Sequence, residues 1–565
     1  MTPVGNTALT TFDAIVIGSG AGGSSAAYLL TKAGKKVLIL EAGPNRFDFL
    51  DAPERQPVSR FGQDELKCEH RGFIASNELV DPRSFRNSPA DGERLLVGSV
   101  NPLPRTVGGG AVHADLKMPR FMPQDFHLGT DLAGRFPGTS FADWPVDYDA
   151  LEPWYTHAEK VLGVSGLAGA DPFEGRRSGP LPMPPGSPMY LALKASDGLR
   201  RLGYHPFPYP MAINSLPYDG RPHCADCGLC SGYGCPTNAK GSPPVTTLRK
   251  AFLTGNCLLY PETRAVKLLT NGTRTEVTGV ECLDPEGKTV TYRADMVVLA
   301  ASPIEDTRLV LLSGGFGNGS GMLGRNLTFH FQTVAIGAFE ERLHGHRGKT
   351  VSHGFSDFRG RPNDPDHPLG GIVEISGSSG PITVSKYSAE ILTLLQQFDG
   401  PRFKHVVRSG AFRERSMLLA MQAEDAPQPT NVVDLDPAVK DLDGLPVARV
   451  TYRNHAFELS AREFYKPKLL EVLKAAGARW GLVLPADEIS GSAHVHGTLR
   501  FGTDPKTSVC NPEGRFHEVG NLWNADGGLF PTSSGFNPTM TIMALAMRVG
   551  AAMAFPGNPE KALSQ

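Results

Sequence analysis

One stretch constrains this chain more than any other: Asp13 to Pro44, DAIVIGSGAGGSSAAYLLTKAGKKVLILEAGP. Ala14 to Ile17 is an apolar run of strand length and β-branched character. Gly18, Gly20 and Gly23 follow in G-x-G-x-x-G spacing, and Ser24 to Lys32 reads as a helix with Ala26, Ala27, Leu29 and Leu30 near one face. Gly34 ends it, and Val37 to Leu40 form a second apolar strand closed by Glu41. The pattern predicts a βαβ unit in which each part has a task. Gly18 permits a tight turn, Gly20 lets a pyrophosphate approach the backbone, and Gly23 lets helix pack on strand. The helix N-terminus offers N–H groups to phosphate, and Glu41 can accept from ribose hydroxyls. A glycine turn alone is weak evidence. A strand before it, a helix after it and an acid at the right distance favour a dinucleotide site over a plain turn.

A chain of 565 residues is long enough for two or more cores, and 40% hydrophobic with 20% charged residues describes a soluble globular protein. A net charge of −2 gives no reason to expect nucleic acid or an anionic membrane as partner. No apolar run is long enough to span a bilayer. The opening MTPVGNTALTTFD lacks a basic region and an apolar core, so no signal peptide is expected and a cytoplasmic location is. Of the eight cysteines, four crowd between Cys224 and Cys235, while Cys68, Cys257, Cys282 and Cys510 are scattered. That is a local site and not a disulfide framework.

From Pro44 to about Leu95 the sequence reads as extended loop. In LPRTVGGGAVHADL, Leu103 to Leu116, the glycines Gly108 to Gly110 are either a flexible turn or backbone pressed against a planar ligand. Asp147 or Asp149 caps a helix that Gly163 stops, and a Gly/Pro-rich linker follows. Val277 to Cys282 and Met296 to Ala301 read as strands, and Ser302 to Leu312 as a helix. LGRNLTFHF, Leu323 to Phe331, marks a boundary. Beyond it, ITVSKY and SMLLAMQA read as strands and Phe464 to Ala476 as a helix, in a separate sheet-bearing domain. Asp526-Gly527 is a tight turn after the strand NLWNA. A last helix, Thr539 to Val549, is expected to be capped by Asn537, opened by Pro538 and stopped by Gly550. Its positive N-terminus suits a group that becomes anionic. The expected division is 1–145, 216–330 and 485–565 for the dinucleotide domain, with 146–215 and 331–484 for the second.

Together these pieces resemble the glucose–methanol–choline family of flavin oxidoreductases. The resemblance spans most of the chain: GSGAGGSS, VGGG, VLAASPIEDTRLVLL, LGRNL, HVHGTLRFG and ADGGLFPTSSGFNPTMTIMALA. It implies FAD, and an α/β fold with a Rossmann-like FAD-binding domain and a second, mostly antiparallel-sheet substrate domain. It implies cofactor contacts from Gly18, Gly20, Gly23, Glu41, Gly108, Gly109, His113, Asp526, Gly527, Pro538 and Thr539. The family's H-P-x-G-T motif lies at His494 to Thr498, with Val495 in place of proline. The catalytic match is therefore His494 and not His496, and the partner position is Asn537. A neutral imidazole can take a hydroxyl proton while the carbon-bound hydrogen leaves as hydride to flavin N5. Asn537 can hold the substrate oxygen through its amide.

His113 stands where relatives such as pyranose oxidase carry a covalent link to the flavin. Here Ala114 replaces the tryptophan often found next to it, so proximity is the expectation and a bond the lesser alternative. The cysteines run C-x2-C-x2-C-x4-C-P from Cys224 through Cys227 and Cys230 to Cys235. Iron–sulfur ligation, structural zinc or a disulfide, and free loop thiols all remain open. The implied function is oxidation of a CH–OH group of an alcohol, sugar or sterol-like substrate to a carbonyl. Electrons would pass to oxygen, a quinone or a redox protein. The alternative is an FAD-containing lyase of the same fold that cleaves cyanohydrins without redox turnover.

Overall fold

The computed structural model describes residues 3–55, 82–98, 100–101, 103–362, 364, 366–377, 381–486 and 492–564. Cys68 and the 56–81 part of the expected loop lie outside the described residues.

The strand Ala14–Ile17 is buried along its whole length and pairs in parallel with Val37–Leu40 on one side and Met296–Leu299 on the other. Runs this apolar have no polar face to turn to water, so they belong in a sheet covered on both sides. The sheet runs Val4–Gly5, Cys257–Tyr260, Val37–Leu40, Ala14–Ile17, Met296–Leu299, Leu522–Asn524. All pairings are parallel except that of the edge strand Val4–Gly5. Three separated stretches of chain thus build one doubly wound sheet. Its crossover helix, Ala21–Lys32, starts three residues before the sequence suggests and packs on the C-terminal helix Thr539–Ala554.

That last helix corrects two expectations. Gly550 does not stop it. A Cβ there would lie 2.7 Å from the carbonyl oxygen of Ala26, so the glycine lets two helices touch. Nor does Asn537 cap it. Pro538 holds the cap position and no side chain caps the helix.

The second sheet runs Trp480–Val483, Phe331–Ala338, Ser416–Ala423, Val373–Ser376, Val351–Phe355, Phe207–Pro208, with every pair antiparallel. Helices Tyr190–Arg201 and Ala456–Ala475 back it. SMLLAMQA is a strand, as read. ITVSKY is not: it opens the helix Pro381–Leu394. Val384, Ser388, Ile391 and Leu392 are buried, a spacing that puts them on one helical face. That periodicity outweighs the weak strand preference of Ile382, Thr383 and Val384. The helix Tyr148–Leu162 follows expectation: Asp147 accepts from the Ala150 N–H at 2.8 Å, and Gly163 ends it in the left-handed region.

Candidate active site

The parallel strands end together, and the loops leaving Ile17, Leu40 and Leu299 open onto one cavity of about 950 Å³. This is the usual ligand crevice of a doubly wound sheet. Each glycine of the first motif has its own reason. Gly18 has φ +99°, and a Cβ there would meet the Ala300 carbonyl oxygen at 2.3 Å. A Cβ on Gly23 would lie 2.0 Å from the Gly18 carbonyl oxygen, so this glycine does let helix pack on strand. Gly22, which motif reading passes over, is equally tight: 1.9 Å from the Ala525 carbonyl oxygen. Gly20 is different. A Cβ there meets only the Gly109 Cα, at 3.8 Å, so the protein leaves the space in front of it open.

Glu41 is buried and held. Its carboxylate accepts from the Ser19 N–H at 3.0 Å, the Ser19 hydroxyl at 2.6 Å and the Gly43 N–H at 2.8 Å. Burial raises its pKa, and these hydrogen bonds work against that rise. The Ser19 hydroxyl also accepts from the Gly108 N–H at 2.9 Å, and a Cβ on Gly109 would lie 2.8 Å from the Gly20 Cα. The glycine triplet is therefore pressed against the first turn, with Gly109 and Gly110 on the cavity wall. Asp526 closes the far side. It accepts from the Ser302 N–H at 2.9 Å and the Gly528 N–H at 2.7 Å. Gly527, Pro538 and Thr539 line the same wall.

His494 lines this cavity and His496 does not. His496 is fully buried, with its ring stacked on Phe530 at an interplanar angle of 2°. His494 makes the informative contact: its Nδ1 lies 2.8 Å from Nδ1 of His330, whose Nε2 lies 3.0 Å from the Ser533 carbonyl oxygen. A carbonyl can only accept, so His330 Nε2 carries a proton and donates it. Burial pushes the His330 pKa down to about 4, so this ring is neutral and its Nδ1 is a bare acceptor. His494 must then donate from Nδ1. Its Nε2 is left with a lone pair and, among the described residues, no hydrogen-bond partner. Burial, helped by His330 and by the charge of Lys117, holds the His494 pKa well below 6.5. The chain thus presents a neutral imidazole in a defined tautomer to the cavity. His330 falls in LGRNLTFHF, which reads in the sequence only as a boundary.

Asn537 also lines the cavity, with its amide oriented from both ends. The buried Tyr209 hydroxyl donates to Oδ1 at 2.6 Å, and Nδ2 donates to Glu374 Oε1 at 2.9 Å. An amide nitrogen has two protons, so one N–H remains for a ligand. Behind it lies an ion cluster that motif reading misses. Lys117 Nζ is 2.5 Å from Glu374 Oε2 and 3.2 Å from Asp115 Oδ2. Burial opposes the Lys117 charge, but the two carboxylates outweigh it and hold the ammonium's pKa above its ordinary value. A lone acid in the apolar strand Val373–Ser376 is the one sequence signal that marks Glu374.

His113 is buried on the cavity wall, its pKa pushed down to about 3 by burial and by Lys240. Its carbonyl accepts from the Gly232 N–H at 2.9 Å. Lys240 Nζ donates to the carbonyls of Ala114, Cys230 and Tyr233 at 2.9, 3.0 and 2.7 Å. The cysteine-rich segment is thereby clamped to the cavity wall, which Ser231 and Gly232 help form. Its metal reading finds no support. Cys227 is exposed, Cys230 is buried, Cys224 and Cys235 are half-buried, and all four are free. Among the described residues no group of three or more His, Cys, Asp or Glu side chains is placed to hold a metal. Burial pushes the Cys224 and Cys230 thiols up to about 11 and 12. The carbonyls of Cys230 and Tyr233 in this segment are what Lys240 holds.

A doubly wound dinucleotide sheet joined to an antiparallel substrate sheet, with a histidine and an asparagine facing one cavity, defines a class of two-domain oxidoreductase. Family models described as GMC oxidoreductase match residues 211–332 and 427–546, and one for an NAD(P)-binding Rossmann-like domain matches 16–46. The chain is 30% identical over 564 residues to the 2-methyl-1,2-propanediol dehydrogenase of Mycolicibacterium austroafricanum, covering 95% of this chain and 94% of that protein. It is 30% identical over 567 residues to the paromamine 6'-oxidase of Streptomyces fradiae, covering 96% and 91%. The chain belongs to the GMC oxidoreductase family. Its fold is shared with pyridoxine 4-oxidase from Mesorbium loti, at TM-score 0.62 and 18% identity, with 96% of this chain and 98% of that chain covered.

Proposed function

We propose that this oxidoreductase binds FAD and oxidises a CH–OH group of a small alcohol or sugar to a carbonyl, with His494 as base. One observation carries the reading: the Ser533–His330–His494 relay leaves a lone pair on His494 Nε2 in the same cavity as the open space before Gly20. Gly20, the N-terminus of Ala21–Lys32, Glu41, Asp526 and the start of Thr539–Ala554 fit a dinucleotide of FAD size. FAD, when bound, supplies the acceptor for the hydride that leaves the carbinol carbon. His494 Nε2 takes the hydroxyl proton, and the imidazolium so formed keeps its Nδ1–H on His330. The remaining Nδ2–H of Asn537 donates to the substrate oxygen and steadies the charge that gathers there. His113, on the cavity wall, fits a place beside the flavin.

Relatives named for a diol, an amino sugar and, in the gluconate 2-dehydrogenase flavoprotein of Pantoea cypripedii, a sugar acid support a polar alcohol as substrate. Among the described residues no helix is long and apolar enough to cross a membrane. The seven described cysteines are free, which favours a reducing compartment such as the cytoplasm.

The test is anaerobic mixing of the holoenzyme with an alcohol. Bleaching of the flavin is expected, and His494→Ala should slow it by about 10²-fold or more with flavin content kept. A flavin that stays oxidised while a cyanohydrin is cleaved would establish the lyase instead.

A further inference from the structure

The ion cluster behind Asn537 has so far no task in the reaction. The C=O and NH2 ends of an amide have the same shape, so its surroundings must fix which way it lies. The Tyr209 hydroxyl, 2.6 Å from Oδ1, steadies the Asn537 amide but cannot choose its direction, because a hydroxyl both donates and accepts. Glu374 can choose. Its Oε1 takes Asn537 Nδ2 at 2.9 Å and Gln422 Nε2 at 3.2 Å, and a carboxylate only accepts. Glu374 therefore fixes the amide for as long as it carries no proton.

That condition falls on Lys117. Glu374 is buried on the strand Val373–Ser376, and a buried carboxyl takes up a proton unless a cation faces it. Lys117 Nζ, 2.5 Å from Glu374 Oε2, is that cation. The other groups around the pair supply no positive charge. Asp115, 3.2 Å from Nζ, is an acid, and Tyr209 is a buried phenol. The amides of Asn537, Gln422 and Gln332 are uncharged, and His494 is neutral. Among the described residues no second cation contacts Glu374. The ammonium also divides the carboxylate: it occupies Oε2 and leaves Oε1 to the amides.

We propose that Lys117 is a positioning residue for the oxidation: by holding Glu374 as a carboxylate with Oε1 turned to Asn537, it makes the asparagine present N–H and not C=O to the substrate oxygen. This rests on the alcohol-oxidising reading above.

The test is a double-mutant cycle on the holoenzyme. Its readout is the limiting rate of anaerobic flavin reduction at pH 7 by the fastest of 1-propanol, 1,2-propanediol and glucose. In Lys117→Met, Glu374 takes up a proton and can donate to the Asn537 oxygen, so the amide turns over. The rate should fall by about tenfold or more, and climb again toward pH 9 as the proton leaves. In Glu374→Gln the new carbonyl is drawn to the Lys117 ammonium, which sets NH2 against NH2 at Asn537 and should slow reduction by a similar factor. In the double variant no ammonium claims the glutamine carbonyl, so it can accept from Asn537. That protein should be about fivefold or more faster than either single variant. Flavin content and melting temperature are the controls. A double variant no faster than the single ones would overturn the proposal, since damage to a merely structural cluster accumulates and a direct action of the Lys117 charge on His494 would not be restored. A native rate in Glu374→Gln would also overturn it, and that variant alone decides if Lys117→Met does not fold. A flavin left oxidised by all three probes would overturn the alcohol-oxidising reading, and this inference with it.

Discussion

His330 sets the tautomer of His494, and replacing it tests the proposed chemistry at one atom. In His330→Leu the acceptor 2.8 Å from His494 Nδ1 is gone. Either Nδ1–H stays buried without a partner, or the proton moves to Nε2 and the base is lost. An unsatisfied buried donor costs about 1–3 kcal/mol. Borne entirely by the productive tautomer, that slows flavin reduction by about 5- to 150-fold, at about 1.4 kcal/mol per tenfold. The whole contribution of general base catalysis, about 10²–10⁴, is the ceiling. Gln at 330 carries both an acceptor and a donor, so His330→Gln should recover part of the loss. The assay is anaerobic stopped-flow reduction at saturating alcohol, with flavin content and melting temperature as controls. A leucine variant that reduces its flavin at the native rate, in a protein where His494→Ala cannot, would refute the tautomer argument.

Gly20→Val should purify folded, with a melting temperature close to that of native apoprotein but little flavin, because its side chain meets open space and not backbone; full flavin content would move the cradle elsewhere. Tyr209→Phe removes the donor to Asn537 Oδ1 without emptying the site, and a net cost of about 1 kcal/mol predicts about a fivefold slower reduction. An unchanged rate would mean that the amide is oriented by Glu374 alone. The acid limb of kcat/KM should lie below pH 6.5, since His494 stays a neutral base as pH falls through that value and is lost only near its lowered pKa; a limb at or above 6.5 would contradict the burial argument. The same groups set a stability trend. Unfolded imidazoles take a proton near pH 6.5, while His330 and His113 stay neutral in the fold down to about 4 and 3, so their contribution declines as pH falls from 6.5 toward those values. Urea titrations between pH 7 and 4 measure it.

Much of this protein was determined by its sequence alone, because the relevant physics is local. A strand, a glycine turn, a helix and an acid within Asp13 to Pro44 can serve only a few ends, and Gly18, Gly23 and Glu41 lie where that logic puts them. The period-2 run SMLLAMQA and the Asp147–Gly163 helix were legible for the same reason. Where local signals misled, a longer-range demand had priority. Gly550 looks like a helix stop but exists for contact with Ala26, more than five hundred residues away in the chain. Asn537 looks like a cap but is turned to Tyr209 and Glu374. The crowded cysteines look like a ligand set, yet the fold sends one thiol into the core and one to solvent. His330, Lys117, Glu374 and Asp115 carry no motif, since their roles come from partners distant in sequence. Only the tertiary structure brings His330 to within 2.8 Å of His494 across a separation of 164 residues, and so decides which nitrogen of His494 is left with a lone pair.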